Sequence, residues 1–137
     1  MIKKAKREIV HKKFNGHCAY CGDLIKYKDM QVDHIIPQTD FFGIVRQFKA
    51  NGYKKQLPDF LTHLDVTDVD HIDNLNPSCR KCNNFKSWHS FEDFRFELSE
   101  QLKRAEKTST NYRFAKKYGQ VIETPKPIVF YFETFKQ

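Results

Sequence analysis

Over the first fourteen residues, Ile2, Ala5, Ile9, Val10 and Phe14 recur at helical intervals among lysines and arginines. That spacing predicts a short amphipathic helix with a basic outer face, and Asn15-Gly16 supplies its stop. Met30 to Ile36 reads as a strand closed by Pro37. From Thr39 the period changes: Phe41, Phe42, Ile44, Val45 and Phe48 predict a helix ending at Asn51-Gly52, and Pro58 to Leu64 predicts another. Residues 38–68 thus read as an insertion with small helices of its own. Asp70 to Leu75 reads as strand or loop, and Asn76-Pro77-Ser78 as a turn into a helix carrying Cys82, Asn83 and Lys86. Ser90, with Asp93 three residues on, is a natural N-cap. The helix it opens has the stripe Phe91, Phe94, Leu98, Leu102 and Ala105. A shorter helix follows Thr108–Thr110 and stops at Gly119, and Pro127 to Glu133 reads as a late strand.

A chain of 137 residues is a usual size for one domain and too short for two well-packed ones. Thirteen Phe and 6 Tyr make a modest, aromatic core feasible. No run approaches the roughly 20 apolar residues of a membrane helix, so no membrane association is expected. Met1 to Arg7 has charge but no apolar stretch behind it, which reads as no secretory signal and points to a reducing, cytoplasmic compartment. Twenty-four Lys and Arg against 17 Asp and Glu leave a formal charge of +7. A field of that sign attracts polyanions such as nucleic acid, although a soluble basic protein without such a partner has the same balance.

Two copies of Val-Asp-His-Ile, Val32–Ile35 and Val69–Ile72, lie inside a bracket made by the chain's four cysteines, Cys18-x-x-Cys21 and Cys79-x-x-Cys82. Zinc takes four thiolate or imidazole ligands in a tetrahedron, and each Cys-x-x-Cys supplies two from one turn. Cys18, Cys21, Cys79 and Cys82 are therefore expected to hold a structural Zn2+. Buried free thiols or a redox pair are the alternatives. A zinc there ties the knuckle at His17–Gly22 to the helix that begins near Cys79.

Taken in order, Cys18-x-x-Cys21, Val32-Asp33-His34-Ile35-Ile36-Pro37, Asp73-Asn74-Leu75 and Cys79-x-x-Cys82-Asn83-x-x-Lys86 resemble the HNH endonucleases. More narrowly, they are similar to the zinc-bracketed HNH proteins of bacteria and phages. The resemblance covers roughly residues 15–95, interrupted by the insertion. It implies an α+β fold: a ββα-metal (His-Me finger) core stapled by the four-cysteine zinc site, with added helices. The whole of 1–137 is then one nuclease domain, with a basic helix at 1–14, the core at 15–89 and C-terminal helices and strand at 90–137. By the same resemblance the chain is a metal-dependent DNA endonuclease of a bacterial cell or a phage-infected host. His34 would be its general base, Asp33 and Asn83 the ligands of one catalytic Mg2+ or Mn2+, and Asn74 the brace that aims His34. Asn83 stands where the family has its final histidine, an HNN variant, and the insertion lengthens the distance from His34 to Asn74.

That chemistry suits the residues. Attack on an anionic phosphodiester needs a deprotonated nucleophile, and a histidine accepts a proton at neutral pH. A hard cation held by carboxylate and amide oxygens neutralises charge on the phosphate. Asn83 and Lys86 are three apart and share a helix face, so Lys86 is expected to contact the phosphate. His71 is expected to be structural, with a lesser role at the metal or phosphate as the alternative. Lys3, Lys4, Lys6, Arg7, Lys12 and Lys13 form one basic cluster, and the residues between Lys103 and Lys117 form another. Either is able to follow a DNA backbone, and in the insertion Arg46, Lys49, Lys54 and Lys55 could add to it. Duplex DNA is the expected partner, with a homodimer or an assembly partner as an option. The rival readings are a non-catalytic zinc-finger module, and a nuclease subunit of a phage packaging or restriction assembly.

Overall fold

The computed structural model describes residues 2–51 and 57–136; Tyr53, Lys54 and Lys55 of the insertion lie outside them. The order is α1 (Lys4–Lys12), β1 (Gln31–His34), α2 (Gln38–Asn51), β2 (Leu75–Ser78), α3 (Arg80–Lys86), α4 (Phe91–Ser99), α5 (Gln101–Thr108), α6 (Thr110–Lys117) and α7 (Tyr131–Thr134). This is an α+β arrangement of helices around a small two-stranded antiparallel sheet. No helix among the described residues is long and apolar enough to cross a membrane.

The apolar stripe of α1 buries Val10 and packs Ile2 and Phe14 against the core, while Ile9 stays exposed. Asn15 and Gly16 take the positive φ angles that end the helix. The basic cluster of α1 divides. Lys3, Lys4 and Lys12 face solvent. Lys6 donates to the Asp70 carbonyl, Arg7 to those of Tyr27 and Met30, and Lys13 to those of Ile72 and Leu75. Half of the expected DNA-facing charge is therefore spent on bracing α1 against the segments that lead into the two strands. Burial lowers Lys13 to about 8, against the pull of Asp73.

After α1 the chain forms a tight knuckle. Cys18 N–H donates to the Asp23 carbonyl and Gly22 N–H to that of Cys18. Gly22 has φ +81°, and a Cβ there would lie 2.7 Å from the Tyr131 ring, so only glycine fits. Tyr20 sits at the centre of an aromatic cluster with Phe91, Phe94, Phe130 and Phe132. A second apolar cluster, Ile35, Ile36, Phe41, Val45, Leu61 and Leu64, seats α2 and the returning segment of the insertion. Pro58 to Leu64 forms a single 3-10 turn at Asp59–Leu61.

Three local expectations are corrected. Asn76-Pro77-Ser78 belongs to β2, with Pro77 opposite Val32. An antiparallel ladder uses N–H groups at alternate residues, so a proline is tolerated in a short strand, and the Pro77 carbonyl accepts from Ala19 of the knuckle. The stripe from Phe91 to Ala105 is split into α4 and α5 at Glu100. There Ser99 Oγ and Gln101 Nε2 take the carbonyls of Phe96 and Glu97 that a continuous helix would use. Pro127–Glu133 is not a strand: it runs irregularly into α7, where Glu133 accepts the Phe130 N–H and Tyr131 N–H reaches back to the Tyr20 carbonyl. Ser90 caps α4 through Asp93 N–H as its sequence predicts.

Candidate active site and cysteine cluster

The knuckle and the start of α3 bring all four cysteine sulfurs within 4.8 Å of one another, with Cys21 and Cys79 3.8 Å apart. A tetrahedral zinc with bonds of about 2.3 Å requires sulfur–sulfur edges of about 3.8 Å. The four cysteines form no disulfide, and backbone N–H groups of Cys79 and Cys82 point at the sulfurs of Cys18 and Cys79. A hydrogen bond from the Cys82 thiol, joined by backbone N–H groups, holds Cys18 down at about 4. Burial, with the neighbouring Cys18 charge, pushes Cys21 up to about 12. Cys82 is also pushed up, first because its thiol is bound to Cys18. One thiolate thus suppresses ionisation of its neighbours, a conflict that a divalent cation among the sulfurs relieves. The cluster could hold a structural zinc.

In β1 successive side chains point to opposite faces. Asp33 consequently turns into the core and His34 turns away from it. Asp33 is 4% exposed; Tyr20 donates to one carboxylate oxygen, and Lys86 Nζ lies 3.2 Å from the carboxylate. Lys86 has no exposed surface and also donates to the carbonyls of His34 and Ile35. Burial pushes the Asp33 carboxyl up, against the pull of Lys86 and the Tyr20 hydroxyl. It pushes the Tyr20 phenol up as well, with Asp33 adding to the shift.

This placement departs from two expectations. A solvent-facing phosphate contact at Lys86 is not what the structure contains, because the ammonium is enclosed by the pair it forms with Asp33. The Mg2+ or Mn2+ expected between Asp33 and Asn83 does not fit the side chains as they lie, since a cation at that carboxylate has to displace the Lys86 ammonium. Asn83 is half-buried on α3, one turn before Lys86.

His34 finds a partner that sequence reasoning missed. Its Nε2 lies 2.8 Å from Asp70 Oδ1, so the histidine of the first Val-Asp-His-Ile meets the aspartate of the second. His34 is 14% exposed and Asp70 39%. A carboxylate only accepts, so Nε2 carries a proton, and in the neutral imidazole Nδ1 is the nitrogen with the lone pair. Asn74 is fully buried; its Oδ1 accepts from Ile36 N–H at 2.8 Å, and its Nδ2 donates to the carbonyls of Val69 and Ile36. Its own carbonyl accepts from Ile35 N–H. Asn74 therefore fastens the chain just after His34 to the turn that carries Asp70. His71 points elsewhere, its Nδ1 accepting from Asp73 N–H, with His63 alongside. The doubling of the tetrapeptide was the one sequence signal for a link between the copies, and it does not say which residues touch.

No protein-family model matches this chain, no curated protein matches it, and no solved structure matches it.

Proposed function

We propose that this chain is a phosphodiester hydrolase that cuts DNA, with the His34 imidazole as general base. The observation that carries the reading is the His34–Asp70 contact at the end of β1. Asp70 fixes the tautomer and ring orientation, and Nδ1 is left to take a proton from water. In the reaction, water oxygen attacks phosphorus as its proton passes to Nδ1. The bond from phosphorus to the 3′ oxygen breaks, leaving a 5′-phosphate and a 3′-hydroxyl that takes its proton from solvent. The pairing of β1 with β2 across the α2 insertion, with α3 following β2 beside four clustered cysteines, supports reading this unit as a ββα nuclease core. The formal charge of +7 favours a polyanionic substrate.

No step is routed through a cation at Asp33, because that carboxylate already holds Lys86 and Tyr20. Assays supply Mg2+ or Mn2+ throughout. With supercoiled plasmid, wild type is expected to cut and His34→Ala to lose cutting by about a hundredfold or more. Undiminished cutting by His34→Ala removes His34 as the base. Salt-dependent DNA binding by wild type, with no cutting in either ion, identifies a non-catalytic zinc-finger module instead.

A further inference from the structure

The turn that delivers Asp70 and Asn74 also gathers His63, His71 and Asp73, whose ligand atoms lie within 4.8 Å of one another. His63 Nε2 is 3.0 Å from Asp73 Oδ2, and His71 Nδ1 is 3.8 Å from the same oxygen. The two imidazoles meet edge to face, with centroids 5.5 Å apart. Bonds of about 2.0–2.1 Å to a cation place neighbouring ligand atoms about 3.0 Å apart at a right angle and about 3.4 Å apart in a tetrahedron. In a tetrahedron each of the two distances to Asp73 Oδ2 shifts by about 0.4 Å, one outward and one inward.

From this geometry we infer a second metal site, separate from the cysteine cluster, in which His63, His71 and Asp73 bind one borderline divalent cation of the zinc, cobalt or nickel class. Two imidazole nitrogens and one carboxylate oxygen suit that class better than Mg2+, which prefers oxygen alone. All three side chains are partly exposed, so water completes the coordination. His71 Nδ1 accepts a hydrogen bond from Asp73 N–H and therefore holds its lone pair at the nitrogen that faces Asp73. Binding exchanges that hydrogen bond for a metal bond.

The role follows from where the ligands come from. His63 belongs to the segment returning from the insertion; His71 follows Asp70, and Asp73 precedes Asn74. A cation held by the three clamps the end of the insertion to the turn that positions His34. The inference stands without the nuclease reading, because it is tested by binding.

Zinc-loaded protein, with the cysteine cluster filled, is titrated with Co2+ and followed by visible absorption. One further equivalent is expected, with ligand-field bands but without the near-ultraviolet thiolate charge transfer that marks cobalt on sulfur. His63→Ala and Asp73→Asn, both at exposed positions, are each expected to weaken this equivalent by at least about tenfold while the first zinc stays bound. Hydrogen exchange across 63–74 is expected to slow when the cation binds. Absence of a second equivalent in wild type, or its survival at full affinity in both variants, overturns the site. Binding without slower exchange overturns the clamp.

Discussion

Val32–Ile35 and Val69–Ile72 are the same four residues in two settings, and the structure uses them in opposite ways. In the first copy, strand alternation buries the aspartate against Lys86 and Tyr20 and turns the histidine outward. The second copy lies in a turn, where the aspartate remains accessible and reaches His34. Its histidine is directed to Asp73. The contact on which the proposed chemistry rests is therefore His34 with Asp70, one residue from each copy. Identical sequence carries no fixed role: backbone conformation decides which half of each pair is enclosed and which stays accessible.

The comparison is broken most severely at the cysteine cluster that brackets both copies. With zinc as the cluster's expected ligand, Cys79→Ser is expected to abolish zinc binding and the cooperative unfolding transition together, as read by metal content and circular dichroism. Structural zinc contributes on the order of 10–16 kcal/mol in small zinc modules, which exceeds the roughly 5–15 kcal/mol by which whole domains are stable.

Next in size is the contrast between the two aspartates. Lys86→Met leaves Asp33 as an unpaired buried charge and is expected to cost about 3–5 kcal/mol in urea unfolding. Adding Asp33→Asn removes that charge, keeps an acceptor for Tyr20 and should recover most of the loss. Asp70→Asn, at a half-exposed position, should change stability by less than about 1 kcal/mol. Equal costs at Lys86 and Asp70 would erase the distinction between a structural and an accessible aspartate.

The smallest effect comes from the exposed pair that ties α4 to the tail. Arg95 holds the Glu133 carboxyl below the usual carboxylate range. The stability from this pair is present above the ordinary carboxylate pKa and is lost as pH falls through the lowered one. Asp33, pushed up by burial, has the opposite sign: its contribution falls as pH rises from the ordinary value through the raised one. Glu133→Gln should therefore flatten acid unfolding slightly, by under about 1 kcal/mol, in a pH series of urea midpoints.

Elements set by local rules were legible in the sequence: α1 with its Asn15-Gly16 stop, the start of β1, the Ser90 cap and the cysteine bracket. What escaped depends on contacts made across the chain. Pro77 reads as a turn until its carbonyl is seen to serve Ala19. Lys86 reads as a surface charge because three-residue spacing gives a shared helix face but not whether that face meets solvent. The break at Glu100 has no glycine or proline to announce it and rests on the side chains of Ser99 and Gln101. The His34–Asp70 contact is not legible because the two residues are 36 apart, across the insertion that carries α2, and the turn that holds Asp70 has no periodic signal of its own.

The most direct measurement is a double-mutant cycle on plasmid cleavage with His34→Ala, Asp70→Asn and both together, all three checked for unchanged unfolding midpoints. The account predicts a loss of at least about a hundredfold for His34→Ala and a smaller loss for Asp70→Asn. The double variant should be no worse than His34→Ala alone, because Asp70 acts through His34. Full cleavage by His34→Ala, or losses that multiply in the double variant, would contradict it.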